Sequence, residues 1–126
     1  MGQHDSILII EDEEVLRNLL QMMLEEDGIK VISAGDGIEA VEIFEQRKDE
    51  IGLVLSDMGL PRLGGWDAFL KMKEINPEIS VILASGYFSP HVKSELLKSG
   101  AKDFIQKPYN PPEILAMIHR ILDEQK

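Results

Sequence analysis

The sequence predicts an α/β fold, a doubly wound parallel sheet of five strands, and three observations carry that prediction. Five short apolar runs rich in β-branched residues alternate with five longer segments of helical spacing, so the chain reads βαβαβαβαβα. The connections between them are short, which leaves one helix to cross between successive parallel strands and leaves no room for a second domain in residues 1–126. The runs also differ in polarity, and polarity orders strands in a sheet covered on both faces.

The first run is Ile7-Leu8-Ile9-Ile10, and after it Val15, Leu19, Met22 and Met23 fall at i, i+4, i+7 and i+8, the spacing of one helix face. Met22 and Met23, with Met72 and Met117 further on, read as core fillers at helical spacing. Val31-Ile32-Ser33-Ala34 is the second run, and Ile38, Val41 and Phe44 mark its helix. Leu53-Val54-Leu55-Ser56 is the third, and Trp66, Phe69 and Leu70 follow the pair Gly64-Gly65 as a helix in which Trp66 packs. Val81-Ile82-Leu83-Ala84 precedes a helix marked by Val92, Leu96 and Leu97. Phe104-Ile105 is the last and shortest run; Pro108, Pro111 and Pro112 shape the start of a final helix with Asn110 as N-cap, and Ile114, Ile118, Ile121 and Leu122 form its stripe.

Runs one, three and four are continuously apolar, as strands flanked on both sides must be. Run two is entered from Lys30, and run five is bracketed by Asp103 and Gln106, which suits edges. The order 2-1-3-4-5 follows. It is the flavodoxin-like order, whose ligand crevice opens at the carboxyl ends of strands one and three.

Composition narrows the function classes. The 126 residues hold 13 Lys and Arg against 23 Asp and Glu, a net charge of −10, so the chain cannot easily present the basic face that direct nucleic-acid binding requires. There is no cysteine, hence no disulfide, thiolate metal site or thiol nucleophile. The start Met1-Gly2-Gln3-His4-Asp5-Ser6 has neither a basic nor an apolar leader region, and no run is long enough to span a membrane, so the expected location is the cytoplasm. His4, His91 and His119 are assigned to a tail, to the loop before the fourth helix and to the last helix, and are read as surface residues.

Chemistry is expected at the strand ends. Glu11-Asp12-Glu13-Glu14 follows strand one and Asp57 follows strand three, so carboxylates converge on the crevice. Clustered carboxylates repel one another unless a cation lies among them, and hard oxygen ligands without His or Cys suit Mg²⁺. Glu13 and Glu14 also suit a helix N-terminus, where the dipole favours negative charge, which leaves Glu11 and Asp12 as the better ligands. Strand four ends in Ala84-Ser85-Gly86 and strand five in Lys107-Pro108, with a peptide bond of the type that tolerates cis. Singly, Asp57, Ser85 and Lys107 are ordinary polar residues of strand-end turns. Together they compose a site for phosphoryl transfer to a carboxylate: Asp57 as nucleophile, Mg²⁺ and Lys107 neutralising the equatorial oxygens, Ser85 hydrogen-bonding the transferred group.

At this point the chain resembles the receiver domain of two-component response regulators, from about Ser6 to Leu122. The matching pieces are Ile10-Glu11-Asp12-Glu13, Leu55-Ser56-Asp57-Met58-Gly59-Leu60-Pro61, Gly64-Gly65, Ala84-Ser85-Gly86 and Lys107-Pro108. The resemblance implies that Asp57 accepts phosphate from a phosphohistidine on a histidine kinase or histidine phosphotransfer protein. It implies that Glu11, Asp12, Asp57 and the Gly59 backbone carbonyl hold Mg²⁺, that Ser85 is the switch hydroxyl, Lys107 the lysine of the family motif and Phe104 the aromatic switch. The output surface would be the face of helix four, strand five and helix five, including His91, Lys93, Lys98, Lys102 and Tyr109, and a homodimer through that face is the self-association it implies. The chain looks most like receivers of hybrid sensor histidine kinases. It would be a phosphorylation switch, with self-catalysed phosphotransfer and autodephosphorylation only, and not an enzyme acting on a separate substrate.

Three departures matter. Glu11 stands where Asp is commoner, one methylene longer, which shifts its contact with Mg²⁺ toward a water-mediated one. Leu60 replaces a common Met at similar volume. Phe104 lacks the tyrosine hydroxyl, so the inward rotamer is expected to be favoured. Rival classes are a Mg²⁺-dependent aspartyl phosphatase, which would need a second acid where Gly59 stands; a flavodoxin or dinucleotide-binding domain, which would need a glycine-rich cradle where Glu11-Asp12-Glu13 stands; and a degenerate receiver serving only as an interaction module.

Overall fold

The computed structural model describes residues 5–60 and 62–125. Strand β1 (Ser6–Ile10) leads into α1 (Glu14–Glu26), β2 (Lys30–Ala34) into α2 (Gly37–Arg47), β3 (Ile51–Asp57) into α3 (Gly65–Ile75), β4 (Ser80–Ser85) into α4 (Pro90–Lys98), and β5 (Asp103–Gln106) into α5 (Pro111–Glu124). All pairings are parallel and the sheet order is β2-β1-β3-β4-β5, as expected from strand polarity.

Alternation along each strand sends residues to two faces. Leu8, Ile10, Val54, Val81 and Leu83 enter one core layer with Phe44 of α2, Phe69 and Met72 of α3 and Leu96 of α4. Ile7, Ile9, Leu53, Leu55, Ile82 and Ala84 enter the other with Leu20 and Leu24 of α1 and Ile114, Ile118 and Ile121 of α5. Every residue of β1 and β3 is buried, whereas β2 runs from exposed Lys30 to buried Ala34 and Gln106 of β5 is exposed. That is the contrast between a flanked strand and an edge.

Helix starts are locally encoded. The Asp36 carboxylate accepts from Glu39 N at 2.8 Å, Ser89 Oγ from Val92 N at 3.1 Å and Asn110 Oδ1 from Glu113 N at 3.1 Å, each cap contributing about 1 kcal/mol. Asn110 is therefore the cap that the prolines suggested, and the Lys107–Pro108 peptide is cis.

The helix faces correct several expectations. In α1, Val15, Leu19 and Met22 are 74%, 55% and 55% exposed, and the buried residues are Leu20 and Leu24, with Leu16 and Met23 packed beside them. Met22 is thus a surface residue, while Met23, Met72 and Met117 pack in the core. Similarly Ile38, Leu70 and Leu97 face outward, next to buried Gly37, Phe69 and Leu96. In these pairs of adjacent apolar positions one residue faces the sheet and the other is turned about 100° away from it. His91 lies within α4, not in the loop before it. His119 is exposed as expected and pairs with Asp27. His4 and Pro61 fall outside the described residues.

Candidate functional site

Four strand ends compose the site. β1 ends at Ile10, so the next residue, Glu11, is delivered to the sheet edge, where its N–H still donates to Ala34 O at 3.1 Å. β3 extends one residue further than its apolar run and ends on Asp57, whose Cα pairs with Ala84 of β4. The Met58 N–H donates to Ala84 O and the Lys107 N–H to Ser85 O, at 2.9 and 2.8 Å, which locks the ends of β3, β4 and β5 in register.

Glu11, Asp12 and Asp57 each place a carboxylate oxygen within 4.8 Å of the others. Glu11 is fully buried, Asp57 nearly so, and Asp12 is exposed at the mouth. Lys107 closes the group: its Nζ lies 3.1 Å from Glu11 Oε1 and 3.2 Å from Asp57 Oδ1. One ammonium among three carboxylates leaves an excess of negative charge on an all-oxygen donor set, a pocket suited to a hard divalent cation. Asp12, open to solvent beside two buried acids, gives such an ion a route in.

Glu11 is the most constrained member. Its Oε2 accepts from Glu13 N at 3.2 Å, and its Oε1 accepts from Lys107 Nζ and from the Tyr109 hydroxyl at 3.3 Å. Arg17 of α1 donates to the Glu11 carbonyl at 2.8 Å, tying the helix to the strand end. Burial raises the Glu11 carboxyl pKa above its usual value, and the backbone N–H of Glu13 and the Lys107 ammonium only partly offset it. Burial acts to lower the Lys107 pKa, but Glu11 and Asp57 outweigh it and the net shift is upward.

Not every expected residue joins the cluster. The Ser85 hydroxyl donates to Tyr87 O at 3.1 Å and accepts from Tyr87 N at 3.4 Å, so in this conformation it is engaged with its own loop. Phe104 lies half-buried against Phe88, ring centroids 5.1 Å apart at 56°, with Lys93 Nζ 5.8 Å from its centroid. Gly59 follows in the bend after β3, and a Cβ there would meet Asp57 Oδ2 only at an ordinary 3.6 Å. Gly65 is different: a Cβ would lie 2.5 Å from Asp57 O and 2.6 Å from Met58 Cα, so α3 starts directly against the Asp57 turn and only glycine fits.

Tyr109 corrects the composition of the proposed output rim. Its hydroxyl reaches Glu11, its ring lies 5.4 Å from Lys107 Nζ, and it packs on the α1/α5 side of the core. Sequence reasoning missed it as a site residue because its partner is 98 positions away; the one available signal was its place two residues after Lys107.

Comparison with known proteins agrees with the geometry. The family model of the response regulator receiver domain matches residues 7–119. The chemotaxis protein CheY of Thermotoga maritima is 31% identical over 116 residues, 91% of this chain and 95% of that protein. The sensor kinase CckA of Brucella abortus is 28% identical over 95% of this chain but only 13% of the kinase, and the chain spans about half the length of several other curated relatives. Among solved structures, a CheY of Borrelia burgdorferi in a CheX-CheY-BeF3-Mg²⁺ complex is 25% identical, with a TM-score of 0.88 over 93% of this chain and 88% of that one.

The chain belongs to the response regulator receiver domain family. It is a CheY-like receiver of the two-component type, a phosphorylation switch and not a classical enzyme, and its pocket of Glu11, Asp12 and Asp57 fits a phosphoacceptor aspartate. Among the described residues no helix is long and apolar enough to cross a membrane.

Proposed function

We propose that Asp57 is the phosphoacceptor and that residues 1–126 form a single receiver domain, taking phosphate from a histidine kinase or histidine phosphotransfer protein. The observation that carries this reading is Lys107 Nζ held between Asp57 Oδ1 and buried Glu11 at the mouth of an acidic pocket. An Asp57 carboxylate oxygen attacks the phosphorus of a phosphohistidine; the new P–O bond forms as the P–N bond breaks, and the electron pair returns to the imidazole nitrogen. Hydrolysis of the resulting aspartyl phosphate by water resets the switch.

The carboxylates of Glu11, Asp12 and Asp57 suit Mg²⁺; in this reading the Gly59 carbonyl is a further ligand, and the bound ion would supply charge neutralisation on the phosphoryl oxygens. Lys107 already stands against Asp57 and needs only a short movement to reach the transferred group. Ser85 turns from Tyr87 toward the phosphoryl group, Phe104 takes the space released, and the α4-β5-α5 face changes. That face is the output surface and the route to a homodimer. Val15, Leu19 and Met22 give the donor an apolar surface on the helix that begins three residues after Glu11. Similarity to part of a sensor kinase supports a receiver of the hybrid-kinase type; in this reading it acts in the cytoplasm, and its net charge of −10 argues against direct contact with nucleic acid.

The test is transfer from a labelled phosphohistidine donor to the wild type and to Asp57→Asn in the presence of Mg²⁺. Label moving to the wild type alone supports the reading; label on neither leaves the interaction-module reading in first place.

A further inference from the structure

Glu11 and Lys107 face opposite demands once Asp57 is loaded. In the present arrangement Lys107 serves two carboxylates, Glu11 at 3.1 Å and Asp57 at 3.2 Å. Phosphorylation turns the Asp57 carboxylate, with its single negative charge, into an acyl phosphate carrying close to two, so the charge beside the ammonium grows by roughly one unit, moves onto the phosphoryl oxygens and draws Lys107 away from Glu11. Glu11 is fully buried, and a buried carboxylate stripped of a donor is costly. Besides the Mg²⁺ that it would help to hold, two other protein donors reach it: the Glu13 N–H on Oε2, and the Tyr109 hydroxyl on Oε1, the same oxygen that Lys107 uses.

We propose that Tyr109 is a positioning residue of the phosphoryl switch, its hydroxyl keeping Glu11 satisfied and in place as Lys107 turns from Glu11 to the phosphoryl group. The inference rests on the phosphoacceptor reading of Asp57 and adds a residue that this reading does not contain. The geometry suits the role. The Tyr109 ring packs against the α1/α5 core layer, a contact that does not involve Lys107, and its hydroxyl is the atom that reaches Glu11. In this hydrogen bond the hydroxyl is the donor, because an ionised carboxylate oxygen can only accept. The hydrogen bond is already 3.3 Å long with Glu11, so an aspartate, one methylene shorter, is expected to lose it. Tyr109 and Glu11 are therefore matched, and the effect of one depends on the other.

The experiment uses four proteins: wild type, Tyr109→Phe, Glu11→Asp and the double variant. Two quantities are read at saturating Mg²⁺, the rate of phosphoryl uptake from acetyl phosphate and the rise in melting temperature on adding beryllofluoride. Tyr109→Phe is expected to slow uptake roughly fivefold, the worth of one buried hydrogen bond. It is also expected to reduce the beryllofluoride-induced rise by about 2–5 °C. In the Glu11→Asp background the same substitution should leave both quantities essentially unchanged.

A merely structural tyrosine would lower the melting temperature with and without beryllofluoride alike, leaving the rise intact, and that result overturns the proposal. So does an equal loss from Tyr109→Phe in the wild-type and Glu11→Asp backgrounds. A wild type that takes up no phosphoryl group and shows no rise overturns the phosphoacceptor reading itself, and this inference falls with it.

Discussion

Lys107 Nζ lies 3.2 Å from Asp57 Oδ1, so the last strand of the sheet reaches across β4 to place its ammonium on the carboxylate at the end of β3. The same ammonium is the nearest compensation for buried Glu11. Charge balance in the pocket and readiness for phosphoryl transfer therefore depend on one side chain.

Replacing Lys107 by Met removes that compensation while retaining most of the side-chain volume. Urea unfolding in the absence of Mg²⁺ should show a loss of about 2 kcal/mol at neutral pH, the usual cost of stripping a charged partner from a buried acceptor. Phosphoryl uptake by Asp57 should fall at least roughly tenfold, because an ammonium no longer meets the equatorial oxygens. Unchanged uptake would mean that Lys107 only balances charge.

Acid should favour the fold through Glu11. Its carboxyl is raised above the usual 4.5 by burial, so the folded state binds this proton more tightly than the unfolded chain does. The cost of burying its charge is fully present above the folded-state pKa and is relieved as pH falls through that value toward 4.5. Lys107 acts at the other end: its raised pKa gives a contribution that is complete below 10.5 and lost as pH rises through the higher folded-state value. The check is the difference in unfolding free energy between Glu11→Gln and wild type across pH. Relative to wild type the variant should gain as pH rises through the Glu11 titration; a flat difference there contradicts the assignment.

The Asp57 turn has no room for a side chain at Gly65. Gly65→Ala would drive a Cβ to 2.5 Å from the Asp57 carbonyl, while a Cβ on neighbouring Gly64 meets nothing within 4 Å. Gly65→Ala is expected to destabilise the fold by about 1–3 kcal/mol and to slow phosphoryl uptake by displacing the turn. Gly64→Ala should be within about 0.5 kcal/mol of wild type. Urea unfolding and uptake assays on the pair test the close approach, and equal behaviour would refute it.

Adjacent Leu19 and Leu20 on α1 should behave oppositely, since Leu19 is exposed and Leu20 buried. Leu20→Ala should cost about 2–5 kcal/mol. Leu19→Gln should change stability by less than about 0.5 kcal/mol and leave uptake from acetyl phosphate intact, yet slow transfer from a phosphohistidine protein. Equal transfer rates for Leu19→Gln and wild type would remove α1 from the donor surface.

These two leucines also show where sequence reading reached its limit. The fold was legible because strand burial is a property of whole runs: Ile7 to Ile10 and Leu53 to Ser56 are apolar almost throughout, and Lys30 and Gln106 betray the edges. The inward face of α1 was not, because Leu16, Leu20, Met23 and Leu24 form a second apolar stripe one position away from Val15, Leu19, Met22 and Met23. Periodicity cannot rank two overlapping stripes; packing against Ile7, Ile9 and Ile114 does. In the site, Glu11, Asp57 and Lys107 were legible because each stands at a strand end and parallel topology brings strand ends together. The Tyr109 hydroxyl depends on how a loop after β5 folds back over Glu11, which no local pattern encodes. The Ser85–Tyr87 hydrogen bonds are likewise conformational, one arrangement of a hydroxyl that the residue sequence alone leaves free to turn.

The most direct measurement is an intact-mass time course of the wild type with a small phosphodonor and Mg²⁺, beside Asp57→Asn and a metal-free control. The account predicts one added phosphoryl group on the wild type, none on Asp57→Asn and little without Mg²⁺. Addition that persists in Asp57→Asn, or its complete absence from the wild type together with failure to bind beryllofluoride, would contradict it.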